Sequence, residues 1–303
     1  MSQAIDREIE VQPSNPLGLD GIEFIEYVTS RPQALGQVLE KMGFRPVAQH
    51  RSREVLLYRQ GAMNVVVNAH AGGRPESIVP AETPVIAAVA FRVRDARAAY
   101  ARALERGAWA VPTHVEVMEL NIPAIHGVGS SRIYFVDRYR EFSIWDVDFV
   151  PIPDVDQHPP AVSGLHWFGI VQYIDRDRMD TWCEFYRELF GFIELPDSQR
   201  FGIMPNGKIL ASPCKSFYLQ LVEPVPDLVD VECTEMLQRI GLGTPSVPAA
   251  VAALRARGVE FLESGKVHSN EHGALTRHWM DSVMFELVHD AGVEGGDQQG
   301  ADR

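Results

Sequence analysis

Cysteine is scarce in this sequence: only Cys183, Cys214 and Cys233 occur in 303 residues. An odd number without CxxC spacing excludes a disulfide framework and a zinc knuckle, and predicts reduced thiols in a cytoplasmic protein. Cys183 falls inside a helical pattern and reads as core. Basic residues are outnumbered, 28 Lys and Arg against 41 Asp and Glu, for a net charge of −13. That balance argues against nucleic acid and against an anionic membrane surface as partners. No apolar run approaches the roughly 20 residues that span a bilayer. The first residues, Met1 to Glu8, are polar and acidic and do not make a signal peptide.

What is present is a globular composition, 46% hydrophobic and 23% charged, in a chain long enough for two domains. Residues 1–16 read as a disordered leader and 291–303 as a disordered tail. Residues 150–162 hold four prolines and read as a linker between domains at 17–149 and 163–290. The two domains repeat one pattern. Strands are expected over 21–28, 55–58, 63–68, 85–93, 132–137 and 142–148 in the first, and over 164–174 and a closing hairpin at 277–288 in the second. A loop is expected over 72–83 and irregular chain over 112–129. A helix over 32–42 is closed by Gly43-Phe44, and one over 179–190 by Gly191-Phe192. A helix over 96–106 is closed by Gly107, and one over 248–257 by Gly258. The paired glycines lie 148 residues apart (43 to 191) and 151 apart (107 to 258). Two anchors at nearly one offset indicate a duplication. The fold class expected is α+β, with duplicated βαβββ modules forming two half-open eight-stranded barrels. Such a cup suits a small ligand. An acidic surface with apolar strand edges permits a homo-oligomer.

The closing hairpin carries Glu286 between Phe285 and Leu287. A lone acid in an apolar strand is costly to bury unless a cation answers it. With Asp281-Ser282 as the turn, Trp279 would pair with Met284 and Arg277 with Glu286. Glu286 would then face Arg277.

The segments 15–26 (Asn-Pro-Leu-Gly-Leu-Asp-Gly-Ile-Glu-Phe-Ile-Glu), 50–61, 90–95, 118–129, 133–139 and 145–149 together resemble the 4-hydroxyphenylpyruvate dioxygenase family, within the vicinal-oxygen-chelate (glyoxalase, bleomycin-resistance and dioxygenase) fold. In the second half 179–192 and Ala211-Ser212-Pro213 extend the likeness. The resemblance implies a first domain without a metal, with Gly21 and Ala88 where ligands would stand, and a second domain holding Fe(II) on two histidines and a glutamate. It also implies an oxygenase of aromatic amino acid catabolism acting on an aromatic 2-oxo acid.

Glu286 matches the glutamate ligand. Trp167 falls at the first histidine's place, with His166 one residue away, a step that reverses the side chain's face unless a bulge restores it. Arg239 falls at the second, and arginine has no lone pair to offer a metal. Gln220 and Val222 stand where the family prefers proline and asparagine, and the family's C-terminal helix has no counterpart before Arg303. Three readings follow. In the first, a shifted triad of Glu286, His166 and either His278 or His272 holds iron. In the second, a metal-free cup binds a small carboxylate, with Arg239 and Arg277 in the metal's stead, Trp167 filling the vacated ligand space, and Gln220 and Ser212 among the contacts. In the third, the ion pair only holds the barrel shut. Asp146, taken as the first-half counterpart of Glu286, reads as hydrogen-bonded structure.

Overall fold

The computed structural model describes residues 14–70, 82–112, 120–199, 201–202, 207–223, 235–264 and 267–291. Residues 1–13 of the expected leader, most of the loop over 72–83, the tail after Ala291 and Cys233 lie outside them. Asn15 and Pro16, assigned to the leader, are buried. Asn15 binds Leu19 through both ends of its amide, at 2.9 and 2.8 Å, and Arg102 donates to the Pro16 carbonyl.

The first half runs β1 (Leu19–Val28), α1 (Pro32–Lys41), β2 (Arg45–His50), β3 (Val55–Gln60), β4 (Met63–Asn68), β5 (Val85–Val93), α2 (Ala96–Glu105), β6 (Ala124–His126), β7 (Arg132–Val136), α3 (Ile144–Asp148) and β8 (Phe149–Pro151). The second runs β9 (His166–Tyr173), α4 (Met179–Phe190), β10 (Ile193–Glu194), β11 (Lys208–Ala211), β12 (Tyr218–Val222), β13 (Met236–Thr244), α5 (Val247–Ala256), β14 (Gly273–Leu275) and β15 (Phe285–His289). The fold is mixed α+β, and the 15 strands found among the described residues join one sheet. Its first half is ordered β2-β3-β4-β1-β5-β7-β6 and its second β10-β11-β12-β9-β13-β15-β14, with β8 added beside β2. Each half has the same pairings: parallel β1–β4 and β9–β12, antiparallel β1–β5 and β9–β13, parallel β5–β7 and β13–β15. The halves join where Leu237 of β13 pairs with Ile86 of β5.

The helices end where glycine permits it. Gly43 and Gly191 take φ of 101° and 81° after α1 and α4, the left-handed region that a side chain resists. One core packs helices against sheet and runs through both halves, from Leu35, Leu39, Phe44 and Phe91 to Tyr186, Phe190, Leu242 and Phe285. On the opposite face of the first half a second core closes over Phe24, Val66, Ala90, Trp145 and Phe149. No such second core forms in the second half among the described residues.

Two expectations about strands are corrected. Residues 142–148 were read as a strand, but α3 forms there. Asp146 accepts from both the backbone N–H and the hydroxyl of Ser143 at 2.8 Å, and this capping box starts a helical turn. The strand pair that matches β14–β15 is therefore β6–β7. The first-half counterpart of Glu286 is Tyr134, since Tyr134 pairs with Ala90 as Glu286 pairs with Gly241. The closing hairpin is also shifted. Met280 and Asp281 both take positive φ, at 50° and 66°, so they form the turn's centre. Trp279 then bridges Val283 and Leu275, not Arg277, pairs with Glu286.

Candidate functional site

Strand alternation decides which side chains share the face away from the helices. Leu237, Ile240 and Leu242 of β13, Leu219 and Leu221 of β12, and Phe285 and Leu287 of β15 all enter the main core. Their neighbours Arg239, Gly241, Tyr218, Gln220 and Glu286 thus take the other face. Two rows cross the strands there. Tyr218, Gly169, Gly241 and Glu286 are cross-strand neighbours on β12, β9, β13 and β15, and Gln220, Val171 and Arg239 lie beside them on β12, β9 and β13. At about 4.8 Å per strand, Tyr218 and Glu286 stand roughly 14 Å apart, with two glycines between them. A methyl at Gly169 would fall 2.1 Å from the Tyr218 carbonyl oxygen, so this floor stays bare.

One end of the rows is aromatic. The Phe168 and Tyr218 rings lie 4.9 Å apart, tilted by 33°, and Phe201 stands edge-on to both at 4.7 Å. Burial and the negative charge of Asp290 push the Tyr218 phenol upward, so it remains a neutral donor at ordinary pH.

The other end is ionic. Arg239 and Glu286 are 2% and 5% exposed. Nε donates to Oε2 at 2.9 Å and Nη1 to the Gln238 side-chain oxygen at 2.9 Å. Nη2 lies 2.8 Å from the same Oε2, yet it is buried without an aligned hydrogen bond. The distance makes it part of the ion pair. The angle leaves its N–H groups unspent, because Nε already takes that oxygen. Gly202 closes over the pair: a methyl there would come 2.7 Å from Oε1.

The remaining expected residues are distributed differently. A bulge at Phe168, where Trp167 pairs with Leu242 and Gly169 with Gly241, turns His166 to the face of Arg239 and Glu286. Its ring fills the space a side chain on Gly243 would take. His166 is nonetheless committed elsewhere, with Nε2 3.0 Å from Asp290 and Nδ1 2.9 Å from the Gly164 carbonyl. Trp167 points into the main core near Phe44, at 6.5 Å, and does not occupy a ligand space beside Glu286. Arg277 is exposed and pairs with Glu260 at 3.5 Å, because the hairpin register places Leu275 opposite Glu286. His278 and His272 are exposed. Ser212 is buried in the turn after β11, bound to the Phe217 backbone. Phe168, Phe201 and the two floor glycines were not singled out from sequence, although Gly241-Leu242-Gly243 within a strand marks a face without side chains.

These residues do not fit the iron that the resemblance implies. Arg239, where the resemblance implies a histidine ligand, is a guanidinium bonded to the glutamate itself. The nearest histidine on that face is spent on Asp290. No group of three His, Cys, Asp or Glu side chains arranged for a metal occurs among the described residues.

Comparison with known proteins places the chain. Residues 14–150 match the family model described as "Hydroxyphenylpyruvate dioxygenase, HPPD, N-terminal". The chain is 36% identical over 265 residues to Hemolysin VllY of Vibrio vulnificus, covering 83% of this chain and 74% of that protein. It is 33% identical over 268 residues to 4-hydroxyphenylpyruvate dioxygenase of Pseudomonas aeruginosa, covering 84% and 74%. A solved mutant of 4-hydroxymandelate synthase from Streptomyces coelicolor shares the fold at a TM-score of 0.70 and 17% identity, over 92% of this chain and 94% of that one. With its paired halves and the buried carboxylate of Glu286 held by Arg239, the chain belongs to the 4-hydroxyphenylpyruvate dioxygenase family as a diverged member.

Proposed function

We propose that the second half of the chain forms a half-open eight-stranded barrel whose inner face binds an aromatic 2-oxo acid, in a site where a guanidinium stands in the iron's place. One observation carries this reading. A single row across four strands runs from an aromatic group at Tyr218, over the bare floor of Gly169 and Gly241, to the buried pair at Glu286. A ligand with a flat ring at one end and an acid at the other has the matching polarity. The first half lacks that opening because Phe24, Trp145 and Phe149 fill its corresponding face. Membership of a family whose relatives are named for 4-hydroxyphenylpyruvate supports the substrate class. The residues do not support an oxygenase step through iron, and none is derived.

Calorimetric titration with 4-hydroxyphenylpyruvate, beside pyruvate and 4-hydroxyphenylacetate, tests the reading. Saturable binding of the first at micromolar to low-millimolar concentration, lost on Phe168→Ala, is expected. Absence of binding by the wild type would refute it. Metal content after anaerobic loading with ferrous iron is expected to stay far below one per chain, and one iron per chain would overturn the metal-free site.

A further inference from the structure

Arginine at the centre of this site does more than neutralise an acid. A guanidinium has five N–H donors. A fork-to-fork pair with a carboxylate would use both oxygens. Arg239 instead converges on Oε2 alone, through Nε at 2.9 Å and Nη2 at 2.8 Å. The aligned bond belongs to Nε, and Nη1 is taken by Gln238. Nη2 is left buried, in a side chain 2% exposed, with no aligned acceptor. Its charge is answered by Glu286, but its hydrogen-bonding capacity is not, and a buried donor gains from an aligned acceptor. Gly241 lies beside Arg239 on β13 and carries no side chain, and the next strand offers Gly169. The donor and two positions without side chains thus share one face, a row away from the aromatic group.

We propose that Arg239 anchors the ligand's carboxylate through Nη2, so that a residue of this chain has taken over the holding role for which its relatives' site uses a metal. The inference rests on the ligand class proposed above. The Arg239–Glu286 bond sets the strength of the anchor: Glu286 competes for the guanidinium, holds it in place and weakens its hold on an incoming acid. Weakening Glu286 therefore tightens acid binding, whereas a purely structural ion pair would not change ligand affinity in that direction.

The test compares dissociation constants for 4-hydroxyphenylpyruvate, for pyruvate and for the neutral analogue 4-(2-hydroxyethyl)phenol, in wild type, Arg239→Lys and Glu286→Gln. Near-ultraviolet circular dichroism checks that each variant is folded. Arg239→Lys keeps the charge but loses the planar fork. It is expected to weaken both acids by roughly tenfold or more and to leave the neutral analogue unchanged. Glu286→Gln is expected to tighten both acids. If 4-hydroxyphenylpyruvate binds wild type and both variants alike, or if acid and neutral ligands weaken together, the anchor is refuted while the ligand class stands. If pyruvate binds with this dependence on Arg239 and 4-hydroxyphenylpyruvate does not bind, the anchor stands and the ligand class falls. If wild type binds neither acid, both fall.

Discussion

Arg239 and Glu286 hold each other in a place where neither would be tolerated alone. Arg239→Met leaves a carboxylate buried without its cation, and breaking such a pair costs about 3–5 kcal/mol. That loss should appear as a lowered midpoint in urea unfolding. Replacing both partners, Arg239→Met with Glu286→Leu, should restore most of it, because an apolar pair of similar volume removes the desolvation penalty as well. A single variant as stable as wild type would mean that water reaches the carboxylate. A second substitution asks the opposite question. Arg239→His frees Glu286 and returns an imidazole to the second ligand place. Competition against a coloured chelator should show a gain in Co(II) affinity over wild type. No gain would indicate that the spacing between 239 and 286 no longer suits a metal.

Elements differ in how openly the sequence displays them. The helices ended by Gly43 and Gly191 and the long strands were legible from periodicity, and Arg239 facing Glu286 followed from the places the family resemblance gives them. The stretch 142–148 misled, because its alternating apolar residues outweighed the pattern Ser143-x-x-Asp146. That pattern is a helix start whose two hydrogen bonds form only when the turn does. Ser143→Ala is expected to cost about 1 kcal/mol and to loosen α3, read as lost protection from hydrogen exchange at residues 144–148. Unchanged protection would show that Trp145, bound to Glu23 at 2.8 Å, holds α3 without its cap. The final hairpin slipped for a different reason. Its turn places Met280 and Asp281 at positive φ without the Asn-Gly or Asp-Gly pair that announces such a turn. A shift of the turn by one residue moved Arg277 out to solvent. The aromatic end of the site was not legible at all, since Phe201 joins Phe168 and Tyr218 from a segment far from both in the chain.

At the scale of the molecule, two phenols report on burial. Tyr58 is pushed up to about 12 by burial and then by Glu40, and Tyr139 to about 12 by burial and then by its bond to Asp20. Both pKa values are raised on folding above the ordinary phenol value of 10.0, so the neutral phenol is the form the fold holds. Their contribution is intact below pH 10 and is lost as pH rises toward 12. Stability should therefore fall across that window, with the two phenols ionising late in an absorbance titration at 295 nm. Ordinary ionisation near pH 10 in the folded protein would contradict the packing around them.

The shared core also binds the two halves to one another independently of the covalent connection. Phe91 packs on Phe190 and Phe217 at 5.8 and 5.1 Å. Gly129 lies so close to the Glu235 backbone that a methyl would fall 1.8 Å from its carbonyl oxygen. The proline-rich stretch is itself sewn to the first half: Gly61 donates to the Pro159 carbonyl at 2.8 Å, and Gln60 accepts from Val162 N–H at 2.9 Å. A protease that nicks the exposed peptide at 154–156 should therefore yield two fragments that still co-elute and melt as one body. The two halves form a mutually dependent pair, in which a packing fault at Phe91 in the first half would be felt in the fold of the second.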